Sequence, residues 1–287
     1  MKLVIDQPPD RNSSPYMERY QVILAYDGSH YKGFQRQAKA RSVQGEVETV
    51  LRKLGWQGKS ILAAGRTDTG VHANGQVIAF DLDWTHDSHE LQTALNSYLP
   101  SDVVAREVRQ VCPSFHPRYD ASWRRYLYRI YCQPVRDPFL ESYAWRVWPK
   151  VELAVLQEAA LPLIGSHDYS AFGSPPQPGG HTIRVVLQAS WNDEPPYLVF
   201  EITAQAFLYH MVRRVVYMQI AIAQHRLNKD DLLQAFAVGE DIQARDGQAL
   251  HPSSQLVHGL APAQGLILAE VNYPPEALGL AEDNKEI

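Results

Sequence analysis

From Ile183 to Trp191 every second residue is apolar: Ile183, Val185, Leu187, Ala189 and Trp191. A period of two fits a strand with one covered face, whereas a helix would scatter these five side chains around its circumference. Asn192, Asp193, Pro195 and Pro196 then mark a turn, and residues 197–203 supply a partner strand. A hairpin of this kind needs something apolar to lie on it, and the chain offers helices. Val43, Val47, Val50, Leu51 and Leu54 share one helical face behind Ser42, a suitable N-cap. Further helices are expected over residues 91–99, stopped by Pro100, and 151–161, stopped near Pro162. Two more are expected over residues 207–225 and 230–238, the last ended by Gly239. Strands are expected at 20–26, 61–64, 76–82, 103–108, 126–131 and 266–273. The fold class is therefore α+β, with mainly antiparallel sheets carrying helices on one face. A boundary near residues 113–117 divides an N-terminal domain (20–115) from a C-terminal one (116–275). Residues 1–19 read as a flexible tail and 276–287 as an acidic one.

The 287 residues suffice for such a core without disulfide or metal staples. The only cysteines, Cys112 and Cys132, form no Cys-x-x-Cys pair, which argues against a zinc ribbon and for a reducing compartment. No apolar run suits a signal peptide or a membrane span, so a cytoplasmic protein is expected. A net charge of −5 argues against nucleic acid, but the distribution does not. Lys32, Arg36, Lys39 and Arg41 occur with no acid among them, and Arg118, Arg124, Arg125, Arg129 and Arg136 form a second basic stretch. Local basic surfaces hold phosphate even on an acidic protein. Any one such segment, taken alone, reads better as a solvated surface.

Three segments invite chemistry. Gly65-Arg66-Thr67-Asp68-Thr69-Gly70-Val71-His72 places an aspartate in a glycine-bounded bend between two strands, with Arg66 and His72 as positive neighbours. Such a carboxylate can serve as a nucleophile or can stabilise an oxocarbenium ion; an ordinary turn with local hydrogen bonds explains the loop as well. Its Asp-Thr-Gly also matches aspartic proteases, but that chemistry needs two carboxylates and one triplet is present. Second, Asp81-Leu82-Asp83-Trp84-Thr85 has the look of a phosphoaspartate signature, giving a magnesium-dependent phosphatase centred on Asp81 as an alternative. Asp230 and Asp231 would have to be its metal-binding pair. Third, Phe207-Leu208-Tyr209-His210-Met211-Val212-Arg213-Arg214 begins a helix whose Arg213 lies near the apolar side. A half-buried arginine there needs an anionic partner, either Asp68 or, within its own domain, Glu201.

Taken together, the chain resembles the tRNA pseudouridine synthase A family. The resemblance is carried by Tyr26-Asp27-Gly28-Ser29-His30-Tyr31-Lys32-Gly33-Phe34-Gln35-Arg36-Gln37, by Ser42-Val43-Gln44, and by the Asp68 loop. Asn96, Leu99-Pro100, Phe115-His116-Pro117-Arg118-Tyr119 and Arg125-Tyr126-Leu127-Tyr128 follow, then His167-Asp168-Tyr169, residues 207–213 and residues 261–268, all in the family's order. The resemblance implies isomerisation of uridine to pseudouridine at nucleotides 38–40 of the tRNA anticodon stem-loop. It implies no cofactor or metal, a homodimer, and two pseudo-twofold-related domains around a positive cleft. It makes Asp68 the catalytic residue, Tyr126 the tyrosine that stacks on the target base, Arg213 the partner of the aspartate, and Arg66 a neighbour on the RNA side. Lys32, Gln35, Arg36, His72, Arg124 and Arg125 become candidate RNA contacts. A non-catalytic tRNA-binding protein on the same scaffold is the alternative within the resemblance. Arg214, Tyr217 and Trp123 depart from the family's usual residues.

Overall fold

A computed structural model of the chain describes residues 17–177, 179–243 and 258–279. In chain order its elements are β1 (Glu18–Tyr26), α1 (Val43–Lys53), β2 (Leu62–Ala63), β3 (His72–Leu82), α2 (Ser88–Tyr98), β4 (Val103–Val111), β5 (Trp123–Tyr131), α3 (Pro138–Glu141), β6 (Trp145–Arg146), α4 (Leu153–Ala160), β7 (Gly165–Asp168), β8 (Ile183–Glu194), β9 (Tyr197–Ala204), α5 (Met211–Ala223), α6 (Lys229–Gln243) and β10 (Leu266–Asn272). They build one sheet in the order β4-β1-β3-β10-β5-β9-β8-β7, with β2 on β3 and β6 on β5. Among the described residues only β10 with β3 and β5 with β6 pair in parallel, so the fold is α+β with a mixed, mostly antiparallel sheet.

The sheet is continuous through the boundary expected at 113–117, because β10 lies between β3 and β5. This late strand sends Leu268 and Val271 into a core built on β1, β3, β4, α1 and α2, and Leu266 into a second core built on β5, β8, β9, α4 and α5. Tyr126 of β5 packs against both cores.

The α1 helix follows its sequence pattern. Ser42 caps it, accepting from Gly45 N at 3.3 Å, and Val43, Val47, Val50 and Leu51 are buried. Each such side chain contributes about 1.5–3 kcal/mol through lost water contact. Glu48 is buried on the same helix with no exposed surface. It is fully engaged: Gln44 Nε2 donates to it at 2.8 Å, Ile61 N at 3.2 Å, and Arg36 forms an ion pair with it. This network ties α1 to the segment after β1 and to the strand that enters the Asp68 loop.

Four expectations change. The alternation at 183–191 is interrupted by a bulge: Val186 faces Ala204 and Gln188 faces Thr203, so β8 holds one residue more than β9. A one-residue slip exchanges the faces of a strand. Ala189 and Trp191 are buried as the pattern requires, but before the bulge Arg184 and Val186 are buried, and Ile183 and Leu187 are 39% and 48% exposed. β1 begins at Glu18, inside the stretch expected to be a tail, while residues 1–16 of that tail and 280–287 of the acidic one lie outside the described residues. α5 begins at Met211 rather than at 207. α6 runs past Gly239 to Gln243, since a glycine ends a helix only where it turns left-handed.

Candidate active site

The Asp68 loop is a tight turn clamped from outside. Val71 N donates to Asp68 O at 3.1 Å, and Gly70, at φ 80°, takes the left-handed place that a type II turn requires. Thr67 is anchored on both sides: its carbonyl accepts from Phe34 N at 3.0 Å, and its hydroxyl meets Tyr26 Oη at 2.8 Å. Gly65 O accepts from Gln76 Nε2 at 3.0 Å. Two glycines of the preceding segment close the clamp. A Cβ on Gly33, at φ 93°, would come 2.9 Å from Thr67 O, and one on Gly28 would come 2.0 Å from Val71 O. Gly28→Ala is thus expected to destabilise the protein by roughly 3 kcal/mol or more, the scale of a severe core clash. A denaturant titration measures this, and a loss below about 1 kcal/mol would contradict the packing described.

Opposite the loop stands α5. Nearly all its side chains are buried, among them Met211, Val212, Val215, Val216, Met218, Ile220 and Ile222, so its axial position is fixed by the C-terminal core. Arg213 emerges from its first turn. Its Nη1 donates to Asp68 Oδ2 at 3.0 Å and its Nε donates to Ala261 O at 2.7 Å. Ala261 N returns a bond to Arg213 O at 3.2 Å, and Tyr128 Oη donates to Pro262 O at 2.7 Å. Residues 261–262 thereby strap the arginine to both α5 and β5. The alternative partner, Glu201, pairs with Arg125 instead. His210, just before α5, brings Nε2 to 3.4 Å from the same Asp68 oxygen.

Asp68, Arg66, Tyr126, Phe207, His210, Arg213 and Leu266 line one cavity of about 60 Å³. Tyr126 meets Phe207 edge to face, with ring centroids 4.9 Å apart at 81°. Burial raises the Tyr126 phenol to about 12, with Arg124 opposing the rise and Asp68 adding to it, so the hydroxyl stays protonated at neutral pH. A larger concavity of about 420 Å³, lined by Asp27, His72, Asp102, Arg129 and Tyr143, does not include Asp68.

A sequence profile of the tRNA pseudouridine synthase family matches residues 22–120 and 159–274. This chain belongs to that family. Among its relatives, tRNA pseudouridine synthase A of Moorella thermoacetica is 39% identical over 254 residues, covering 88% of this chain and 98% of its own. The Geobacillus kaustophilus protein of the same name is 36% identical over 91% of this chain and 96% of its own. The protein of that name from Aeromonas hydrophila is 37% identical over 92% and 93%.

The pseudouridine synthase scaffold sorts the remaining candidates. Arg66 is exposed at the cavity mouth. Lys32 and Gln35 are exposed on the segment hydrogen-bonded to the Asp68 loop; Arg36 is exposed there too but is paired with Glu48. Three candidates do not join the cleft. His72 is 4% exposed, its Nδ1 accepts from Gly28 N at 3.0 Å and lies 3.2 Å from Asp27 Oδ1, and burial lowers its pKa against the pull of Asp27, so its ring is engaged away from Asp68. Arg124 donates to the carbonyls of Ala121, Gln205 and Arg118, which leaves its guanidinium occupied by backbone. Arg125 neighbours Tyr126 on a strand, hence points to the other face, and pairs with Glu270 at 2.6 Å. Both oxygens of Asp81 are held by Arg19, through Nε and Nη2, on an antiparallel strand pair, which removes the phosphatase reading's free nucleophile and its parallel sheet. Of the family departures, Arg214 binds Phe172 O at 3.2 Å, and Tyr217 stacks on Trp145 at 6.4 Å beneath Gly259. Neither lines the Asp68 cavity. The sequence reading passed over His210 and Phe207 as site residues. Both lie in the segment it singled out, which is not helical before Met211; His210 there takes a left-handed backbone.

Proposed function

We propose that this chain isomerises uridine to pseudouridine in the anticodon stem-loop of tRNA, at nucleotides 38–40, with Asp68 as the reacting carboxylate. The observation that carries this reading is the ion pair of Asp68 with Arg213 at 3.0 Å, in one cavity with Tyr126 between two helix-covered cores. The reaction breaks the N1–C1′ bond, turns the uracil, forms the C5–C1′ bond, and moves the proton from C5 to N1. Loss of the glycosidic bond builds positive charge on the ribose, which an adjacent carboxylate offsets. Asp68 acts either by attack on C1′ or by taking the C2′ proton. The target must leave its stack at a cost of a few kcal/mol, and Tyr126 returns part of this by stacking. Arg66, Lys32 and Gln35 hold phosphates in register. The two core halves act as a pseudo-twofold pair around the cleft, and the working unit is a cytoplasmic homodimer. Membership of the family supports these finer points.

The deciding experiment is chemical mapping of pseudouridine in tRNA after incubation with purified protein. New pseudouridine within nucleotides 38–40 is expected, and unchanged tRNA overturns the reading. Tyr126→Ala is expected to reduce kcat/KM by about 5- to 150-fold, the equivalent of ~1–3 kcal/mol of lost base stacking. Tyr126→Phe should stay within about threefold of wild type, because the ring does the stacking. A Phe variant as slow as the Ala variant would move the role to the hydroxyl.

A further inference from the structure

The two oxygens of Asp68 are not equivalent. Arg213 Nη1 donates to Oδ2 at 3.0 Å, and His210 Nε2 stands 3.4 Å from that same oxygen. Among the described residues no hydrogen bond or ion pair reaches Oδ1. His210 attains this place in a left-handed backbone state, φ 66° and ψ −1°, which residues other than glycine, asparagine and aspartate seldom adopt. The surrounding chain enforces it. Tyr209 N donates to Ser174 O at 2.9 Å, Met211 N to Leu208 O at 3.2 Å, and Arg214 N to His210 O at 3.1 Å. Gly173 lies so close that a Cβ there would come 2.5 Å from Tyr209 O. The imidazole is in turn stacked on the Tyr209 ring, with centroids 3.7 Å apart at 29°.

A strained residue held by so many contacts is a sign that its side-chain direction matters. Here the direction is toward a carboxylate. The charged groups facing the ring are Asp68, Arg213 and Arg214; burial, aided by the two arginines and opposed by Asp68, lowers the imidazole's pKa. At 3.4 Å the pair is longer than a formed hydrogen bond, and catalytic hydrogen bonds that are long in a free enzyme often tighten in its substrate complex.

We propose that His210 is a positioning residue of the reaction: together with Arg213 it fixes Oδ2 of Asp68, so that Oδ1 is the oxygen presented to the ribose of the target nucleotide. The inference rests on the reading of Asp68 given above. Arg213 alone would leave the carboxylate free to rotate about its single bond. A second donor from the residue before the helix removes that freedom, and misplacement of a reacting group by an ångström costs about 100-fold in rate.

The test compares His210→Gln with His210→Met. Both side chains are unbranched, similar in length and equally strained in the left-handed backbone, but only glutamine offers an N–H at the reach of Nε2. Wild-type protein is assayed alongside by pseudouridine mapping, with single-turnover rates and KM for tRNA. The Gln variant is expected within about fivefold of the wild-type rate. The Met variant is expected to lose about 10- to 100-fold in kcat with KM unchanged, at the same melting temperature as the Gln variant. Equal kcat for the two variants, whether high or low, overturns the proposal, as does a Met defect confined to KM. If wild-type protein forms no pseudouridine, the reading of Asp68 fails instead, so the two failures are distinct.

Discussion

Asp68→Asn is expected to abolish pseudouridine formation while leaving the fold and tRNA binding in place. Asparagine has the same shape, and its carbonyl oxygen can still accept the 3.0 Å bond from Arg213 Nη1. It cannot offset positive charge on the ribose, attack C1′ to give a stable adduct, or take the C2′ proton. A loss of more than about 10⁴-fold in single-turnover rate is expected, or ~5.5 kcal/mol at about 1.36 kcal/mol per tenfold. Affinity for tRNA should hold or rise slightly, since one negative charge leaves a cleft that receives phosphates. The measurement is pseudouridine mapping together with a filter-binding titration at fixed salt. A variant that still turns over removes Asp68 from the chemistry.

The second large effect is at Arg213, where stability and rate are expected to fall together. Its guanidinium bridges two places, Asp68 Oδ2 and Ala261 O. The side chains of Asp68 and Arg213 are 17% and 12% exposed, so Arg213→Met leaves a carboxylate largely out of water with no counter-charge. Removing one partner from a fully buried pair costs about 3–5 kcal/mol. Access of some water to Asp68 brings the expected loss to about 2–3 kcal/mol, read from the midpoint of a denaturant melt. The rate should fall by about 10²–10³-fold, the scale seen when a fixed electrostatic partner is removed. Arg213→Lys keeps the charge, but its single ammonium cannot span both acceptors. It should recover most of the stability and little of the rate. A lysine variant of full activity would show that charge alone, without the strap to Ala261, is sufficient.

Much of the frame was readable because it depends on local patterns. The Ser42 cap and the spacing Val43, Val47, Val50, Leu51 placed α1 to within a residue or two. The turn at 192–196 placed the β8–β9 hairpin, and Pro100 marked the end of α2. The strand phase at 183–187 was read wrongly, because a bulge is set by how the strand meets its partner, and the composition of one strand does not disclose it. The same limit hid Glu48. A carboxylate on an apolar helix face reads as a surface residue until Arg36, Gln44 and Ile61 are seen to converge on it.

The site divides in the same way. The sequence by itself singled out Asp68 as the candidate reacting group and determined its tight bend, since Gly70 and the flanking strands act over a few residues. It also pointed to Arg213 and Tyr126 through their motifs. Only the tertiary structure decided which side chains reach Asp68. His72 and Arg66 are its neighbours in the chain, yet burial and hydrogen bonding turn His72 away, and Arg213 and His210 arrive from 145 and 142 residues downstream. Strand alternation likewise sends Arg125 to the face opposite Tyr126. The reason is physical: backbone turns are fixed by short-range sterics, whereas an ion pair depends on the meeting of two surfaces. That meeting is set by packing of the whole sheet, with β10 inserted between its halves.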